Sequence, residues 1–482
     1  MNAPGGAAPV PPRTPLQATP TSLAAWALTL ALPLLVFSQA APRLSAQAGL
    51  LLALMVGAAV QWMFRVVPDF VVGLLLLWLC VLLGLAPAEL AFSGFVSPVF
   101  LLVLGVFLLS ALLVESPWMA RWSQALLRHT QGSPPRRFAA LLLSALALTM
   151  VLPSPLGRSA LLAPLLQPLA AGRSPRFQTA VVFALAQGTT LWSTVFLTGN
   201  PLNFVLLGLL DVQSQQRFQW LHWLLAASAF ALVVGVGLAA LLAWLLHRAG
   251  RAGARPSELP TSAFMVDATA APQARDAGMV VPVLYLLLFV ALLTRPFHQI
   301  ELHLVVGALA LVGFYLAPMP MQSLRARLDW PTLLFIATLV AWQPMLSRTG
   351  ADAWLAGHLP ALARHAHASL AVNIVVLALG VGLVRLVVPG APAFIVLATS
   401  LLPLAPALGL SPWALGFVLL TVSEGFVLAH QHGVLSHLLA EAQAHGMVLE
   451  PRRLLLANLG AWVLRVLALV ACLPWWQQLA LA

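Results

Sequence analysis

The chain reads as an all-α polytopic membrane protein built from two inverted repeats, each with a re-entrant hairpin and a broken transmembrane helix. Three observations lead there. The 482 residues are 61% apolar and only 8% charged, against roughly 25% charged for a soluble domain, so too few charges remain to face water. Apolar runs long enough to cross a hydrocarbon core of about 30 Å recur along the whole chain. Polar and proline-rich interruptions fall inside some of those runs, in the same order in both halves.

Taken in order, residues 1–21 form a Pro/Ala/Thr-rich tail expected to be disordered. Spans fall near 22–39, 47–64, 69–86, 96–114, 179–210 (broken), 221–246, 280–294, 300–317, 331–347, 413–437 (broken) and 454–473, with hairpins at 138–172 and 369–409. The first run ends in Ser38-Gln39-Ala40, which resembles a signal-peptidase site. A retained first helix is the preferred reading, because many apolar segments follow it. Residues 22–90 are then N-terminal scaffold helices, 91–246 the first repeat, and 247–279 a cytoplasmic linker rich in Arg, Ala, Pro and Ser. Residues 280–328 are connecting scaffold helices and 329–482 the second repeat.

Charge sets the orientation. The formal net charge is +11, and all 24 basic residues are Arg. Sixteen of them fall in loops on one side, five on the other, and three, Arg158, Arg385 and Arg465, inside apolar segments. By the positive-inside rule the N-terminus is cytoplasmic and the C-terminus outside, in the cell's inner membrane. The arginines are scattered between apolar runs rather than gathered on one face, which argues against a nucleic-acid partner. With no Lys there is no Walker-type phosphate loop. Cys80 and Cys472 both lie in apolar runs and make no disulfide framework. No nucleophile–base pair or cofactor motif stands out, so neither an enzyme nor a cofactor is expected.

The halves echo each other. An apolar run beginning at Pro98 ends 17 residues later at Glu115, and one beginning at Pro331 ends 17 residues later at Arg348. Each is followed by an amphipathic stretch with tryptophan (Trp118 and Trp122; Trp354), then an interrupted hairpin, then a broken segment. On this topology the first run enters from outside and the second from inside, which is the inverted plan of many carriers.

The interruptions locate the candidate site. The first hairpin turns at Pro153-Ser154-Pro155-Leu156-Gly157-Arg158, and its arms of about 22 Å are too short for a full crossing. Bare backbone at that depth survives only beside protein or a wet cavity. The segment 179–210 would reach about 48 Å as one helix. It is interrupted at Gln187-Gly188-Thr189-Thr190, at Ser193-Thr194 and at Thr198-Gly199-Asn200-Pro201-Leu202-Asn203. Asn200 suits an N-cap and Pro201 a first helical residue. A half-helix starting there, and another at Ser154-Pro155, would aim positive dipole ends at a small anionic solute. The second half turns at Val388-Pro389-Gly390-Ala391-Pro392, and its broken segment carries Thr421, Ser423, Glu424, His430, Gln431 and His432.

With Phe92-Ser93-Gly94-Phe95, Pro98, Gly105-Val106-Phe107, the hairpin ending in Leu165, and Thr198 to Asn203 followed by Gly208, the chain resembles the divalent anion:sodium symporter family of the ion transporter superfamily. The likeness runs over about 91–210 and more weakly over 329–437. The break at Thr198 looks like that family's Thr-Pro-Pro-Asn, which lines its substrate and sodium sites. The resemblance implies a scaffold domain, a moving transport domain, homodimerisation and elevator-like alternating access. It also implies di- or tricarboxylate or sulfate as substrate. The family's Ser-Asn-Thr hairpin tips are absent: Ser154-Pro155-Leu156 stands at the first and Pro389-Gly390-Ala391 at the second. Proline and alanine offer no side-chain oxygen to sodium, which weighs against sodium coupling.

The expected substrate-binding residues are therefore Ser154, Gly157, Arg158, Thr198, Gly199, Asn200, Asn203, Arg385, Pro389 and Gly390. A guanidinium buried without a partner is costly, so Arg158 and Arg385 either meet substrate charge in place of bound cations or pair structurally with Glu424. Glu424, with His430 and His432, is the candidate coupling group for protons. Two alternatives stay open: an arsenite- or proton-exchange-type carrier of the same superfamily, and a membrane-embedded metalloprotein using Glu424, His430 and His432.

Overall fold

A computed structural model describes residues 20–40, 42, 44–64, 66–119, 121, 122, 125, 134–170, 172–246, 279–351, 369–386, 388 and 390–482. The expected tail over 1–21 and linker over 247–279 fall, apart from residues 20, 21 and 279, outside the described residues, as does Trp354. Every regular element among the described residues is helical.

Punctuation by serine and proline sets many of the boundaries. Ser97, Ser154, Ser174 and Ser411 each precede a proline, and each hydroxyl accepts from the amide three residues on (Phe100, Gly157, Phe177 and Ala414). The serine satisfies one orphan donor of the first turn, and the proline that follows lacks the next one. The helices so begun are α4 Pro98–Glu115, α6 Pro155–Leu162, α7 Pro175–Thr190 and α16 Pro412–Ser423. Before α4 come α1 Pro20–Ala40, α2 Ala46–Phe64 and α3 Asp69–Leu82. Between α4 and α6 lies α5 Pro134–Val151. After α7 follow α8 Pro201–Leu209, α9 Trp220–Leu246, α10 Val280–His298 and α11 Leu302–Leu316. Then come α12 Trp330–Val340, α13 Trp342–Thr349, α14 Leu370–Arg385 and α15 Gly390–Leu401. After α16 the chain ends with α17 Gly433–Ala444 and α18 Pro451–Ala471, followed by a short turn of helix.

By length and composition, Pro98–Glu115, Trp220–Leu246 and Pro451–Gln478 can each cross a membrane, and nine further apolar helices of 10–17 residues surround them among the described residues. The protein is a multi-pass membrane protein. Two expected spans need correction in detail. The span 331–347 is divided at Ala341: Pro344 has no amide for an i→i−4 bond and its ring opposes the Val340 carbonyl. The broken span starts at Pro175, and α-helix gives way to turns and a 3-10 turn from Leu191 to Asn200, within the expected interruptions.

Packing is reciprocal between the halves. Helix α4 lies on α11, and α12 lies on α3. The arms α5 and α6 cover α7, and α14 and α15 cover α16. Half-helix α8 packs on α16, and α17 packs on α7. Helices α9 and α18 pair with each other. At the α9–α18 end, Trp413 stacks on Phe417 at 4.9 Å, and the Trp223, Phe230 and Trp476 rings pack edge-on around that stack. Where Phe92-Ser93-Gly94-Phe95 crosses α12, a side chain on Gly94 would overlap the Ala337 carbonyl, so the backbone contact there requires glycine.

Three polar contacts tie loop ends together. Arg327 Nε donates to Glu115 Oε1 at 2.8 Å, Arg176 lies 3.8 Å from Glu450, and Arg217 Nη2 donates to the Leu479 carbonyl at 2.8 Å.

Candidate functional site

The last carbonyls of α5 have no intrahelical partner, and side chains from elsewhere take them up. Thr198 Oγ1 donates to Met150 O at 3.0 Å and the Tyr285 hydroxyl to Val151 O at 3.3 Å. Arg158 Nη1 donates to Leu152 O. Arg158 is wholly buried. Its Nε and Nη2 also donate to Thr189 O, at 3.1 and 2.6 Å, and Nη1 to Gly199 O at 2.8 Å. All three acceptors close a helix: Leu152 follows α5, Thr189 is the penultimate residue of α7, and Gly199 ends the 3-10 turn Leu197–Gly199. The negative ends of three helices thus converge on one guanidinium.

Asn203 secures the unwound stretch, its Nδ2 donating to Ser193 O at 2.9 Å and Phe196 O at 2.7 Å. Asn200 has extended backbone (φ −150°, ψ 134°) and caps α8, its Oδ1 accepting from Leu202 N at 3.0 Å. The pre-proline position favours that conformation.

The second half repeats the arrangement with other residues. Arg385 Nη1 donates to Val388 O at 2.8 Å, and Nη2 to Gln431 O at 2.6 Å and Gly425 O at 3.3 Å. Val388 follows α14, Gly425 follows α16, and Gln431 ends the 3-10 turn Ala429–Gln431. His432 takes the place of Asn200, with φ −146° and ψ 128°, and its Nδ1 accepts from Val434 N at 3.2 Å.

The two caps meet on one carboxylate. Asn200 Nδ2 donates to Glu424 Oε2 at 2.6 Å, and His432 Nε2 lies 3.7 Å from the same oxygen. Because His432 Nδ1 accepts the cap bond, its ring proton is assigned to Nε2, on the Glu424 side. Arg465 of α18 is buried beside this group: Nη1 donates to Thr421 O at 3.4 Å, while Nη2 has no partner among the described residues. Neither has the Ser423 hydroxyl. On the same helix Asn458 Oδ1 accepts from Gln187 Nε2 at 3.0 Å, joining α18 to α7. Three buried guanidinium groups therefore share the region with one buried carboxylate, and the excess charge is positive.

A cavity of about 340 Å³ lies at the first hairpin tip, lined by Ser154 and Gly157 with Leu152, Ser110, Arg327 and Asp329 among others. Of the expected binding residues, only Ser154 and Gly157 line it. Arg158 turns the other way, toward Thr198, Gly199, Asn200 and Asn203, which stand buried behind the tip. Gly390 sits against the Arg385 guanidinium and the Ser423 carbonyl, the latter 3.0 Å from where a Cβ would stand. Pro389 lies outside the described residues. His430 is exposed, with Nε2 3.4 Å from Leu386 O, apart from the Glu424–His432 pair. Among the described residues no three His, Cys, Asp or Glu side chains converge. This corrects the metalloprotein alternative: its three ligands do not meet, since His432 faces Glu424 while His430 is exposed on the other side of the chain.

Sequence reasoning missed Arg465 and the Gln187–Asn458 pair as parts of the site. The signal for Arg465 was a lone charge inside an apolar run; Gln187 was marked as part of an interruption, but nothing marked Asn458 as its partner.

The family model described as "Citrate transporter" matches residues 59–422. A curated protein of Cupriavidus necator described as "Membrane protein" is 26% identical over 274 residues, 55% of this chain and 52% of that protein. The chain thus spans about half the length of the relative it matches.

Proposed function

Since the chain belongs to the citrate transporter family, we propose that it is a secondary carrier, not an enzyme, that moves a small di- or tricarboxylate, or sulfate, by elevator-like alternating access. The observation that carries this reading is the pair of half-helices whose N-caps, Asn200 and His432, meet on Glu424 amid an excess of buried positive charge. Unwound helix termini facing one another in the core are how carriers hold a charged solute without a permanent counter-ion.

The reciprocal packing supports two inverted repeats with re-entrant hairpins at 138–172 and 369–409. The likeness of Thr198 to Asn203 to the divalent anion:sodium symporters supports placing substrate between the first tip and the first break, at Ser154, Gly157, Thr198, Gly199, Asn200 and Asn203. Arg158, Arg385, Pro389 and Gly390 are then the surrounding shell. The cavity beside Ser154 runs to Arg327 and Asp329, in a loop that the arginine distribution assigns to the cytoplasm, and so supplies an inward-facing approach.

Orientation with the N-terminus inside and the C-terminus outside, in the inner membrane, rests on the arginine bias. The loop contacts agree with it: Glu115–Arg327 and Arg176–Glu450 join segments assigned inside, and Arg217–Leu479 joins segments assigned outside. Apart from Ser154 the tip residues offer sodium no side-chain oxygen, so coupling is assigned to protons through Glu424 and His432, with His430 at the exposed edge. A homodimer follows from the family resemblance.

Thermal unfolding of the purified protein tests the substrate class, because a ligand that binds only the folded state raises the transition temperature. Citrate or a dicarboxylate raising it above a matched chloride control supports the proposal. A response to arsenite alone moves the protein to the arsenite-exchange type. A response to none of citrate, dicarboxylates, sulfate or arsenite contradicts the anion-carrier reading.

A further inference from the structure

We propose that Arg158 and Arg385 are built-in cations, each filling a backbone-carbonyl cage that would otherwise take a small monovalent cation. The argument starts from the acceptors. Three carbonyls meet one guanidinium in each half: one past the preceding helix (Leu152, one residue after α5; Val388, three after α14), one near the end of the first half-helix (Thr189, one residue inside α7; Gly425, two past α16), and the last residue of the 3-10 turn before the second half-helix (Gly199, Gln431). Three helix C-termini aimed at one point leave partial negative charge that water cannot reach, and the charge must be answered there. Carbonyls from unwound helices in membrane proteins answer it with a bound cation.

Here the answering group is covalent, and its origin differs between the halves. Arg158 comes from the return arm, in α6, six residues after Leu152. Arg385 comes from the first arm, as the last residue of α14, three residues before Val388. Similarly placed carbonyls are thus met by arginines from different positions. The shared feature is the cage, and the arginine in each half is a separate solution to filling it. Gly390 keeps a side chain off the second cage, where a Cβ would stand 3.5 Å from the Arg385 guanidinium carbon.

Two consequences follow. The unaltered protein has no vacancy for sodium at these points. Removing either arginine opens a latent cation site. Only the transport consequence rests on the carrier reading; the stability consequence needs no substrate, so the two fail separately.

The test is thermal unfolding of the full-length protein in detergent, at equal ionic strength, in choline, sodium, potassium or guanidinium chloride in the tens of millimolar. The unaltered protein is expected to unfold at the same temperature in sodium as in choline. Arg158→Ala and Arg385→Ala are each expected to unfold lower in choline, and to recover by at least about 2 °C in sodium or guanidinium relative to the unaltered protein's response. A sodium-specific rise in the unaltered protein, or variants indifferent to which cation is present, overturns the proposal. If neither variant can be purified folded, initial uptake rates of the unaltered protein in sodium against choline decide: equal rates support it, and a rise of about threefold or more in sodium contradicts it.

Discussion

Asn200 and Glu424 stand 224 residues apart in the chain and 2.6 Å apart in the structure. One caps the second half-helix of the first break, and the other follows the first half-helix of the second break. This charge-assisted bond ties the two breaks together directly.

Glu424→Gln keeps the shape and removes the charge. Asn200 retains an acceptor, but three buried arginines lose the one acid among them. Initial transport rates in proteoliposomes are expected to fall about 10-fold or more, and the pH dependence of the remainder to flatten. An unchanged pH profile would remove Glu424 from coupling.

His432 and Asn200 share backbone geometry and both accept the cap bond, so Asn is expected to serve at either position. His432→Asn should leave the unfolding temperature close to that of the parent, while His432→Ala should lose about 0.5–2 kcal/mol of helix-cap stabilisation. Chemical or thermal unfolding of the two variants measures the difference. Equal destabilisation of both would mean that the cap bond contributes nothing.

Gln187 and Asn458 join α7 to α18 by one buried amide bond. Gln187→Ala leaves the Asn458 acceptor without its donor, at a cost of about 1–3 kcal/mol. Removing both polar groups with Gln187→Leu and Asn458→Leu should cost less than the sum of the single changes. Additive single and double losses would show that the two side chains do not act as a pair.

Ser154 lines the cavity, whereas Leu162 at the far end of the same helix is wholly buried, and both native cysteines are buried too. Ser154→Cys is expected to react with a membrane-impermeant maleimide in inside-out vesicles, with Leu162→Cys and the parent silent. Saturating citrate should slow the labelling. Reaction from the outer face instead would reverse the assigned orientation.

Helix positions were legible in the sequence because lipid demands long apolar runs and Ser-Pro pairs mark many of their starts. The helix starts at Ser154-Pro155 and Asn200-Pro201 were legible for the same reason: proline fixes its own φ and restrains its neighbour. The carbonyl cages were not. Arg158 stood out as a charge beside the tip, but its acceptors are main-chain oxygens of Leu152, Thr189 and Gly199, and a carbonyl leaves no mark on residue type. The polar residues from Gln187 to Asn203 marked the extent of the first break, but not that Asn203 holds it open through the Ser193 and Phe196 carbonyls. Two residues apart, His430 and His432 point to different sides of any helical turn, and the structure turns His432 to Glu424 and leaves His430 exposed.

The central claim is tested most directly by counterflow: proteoliposomes loaded with unlabelled citrate, dicarboxylate or sulfate, and uptake of the labelled anion followed with no sodium present. The account predicts transient accumulation of at least one of these anions, abolished by Asn200→Ala together with Glu424→Gln. No accumulation of any of them, with folded protein in the vesicles and with or without sodium and a proton gradient, would contradict it.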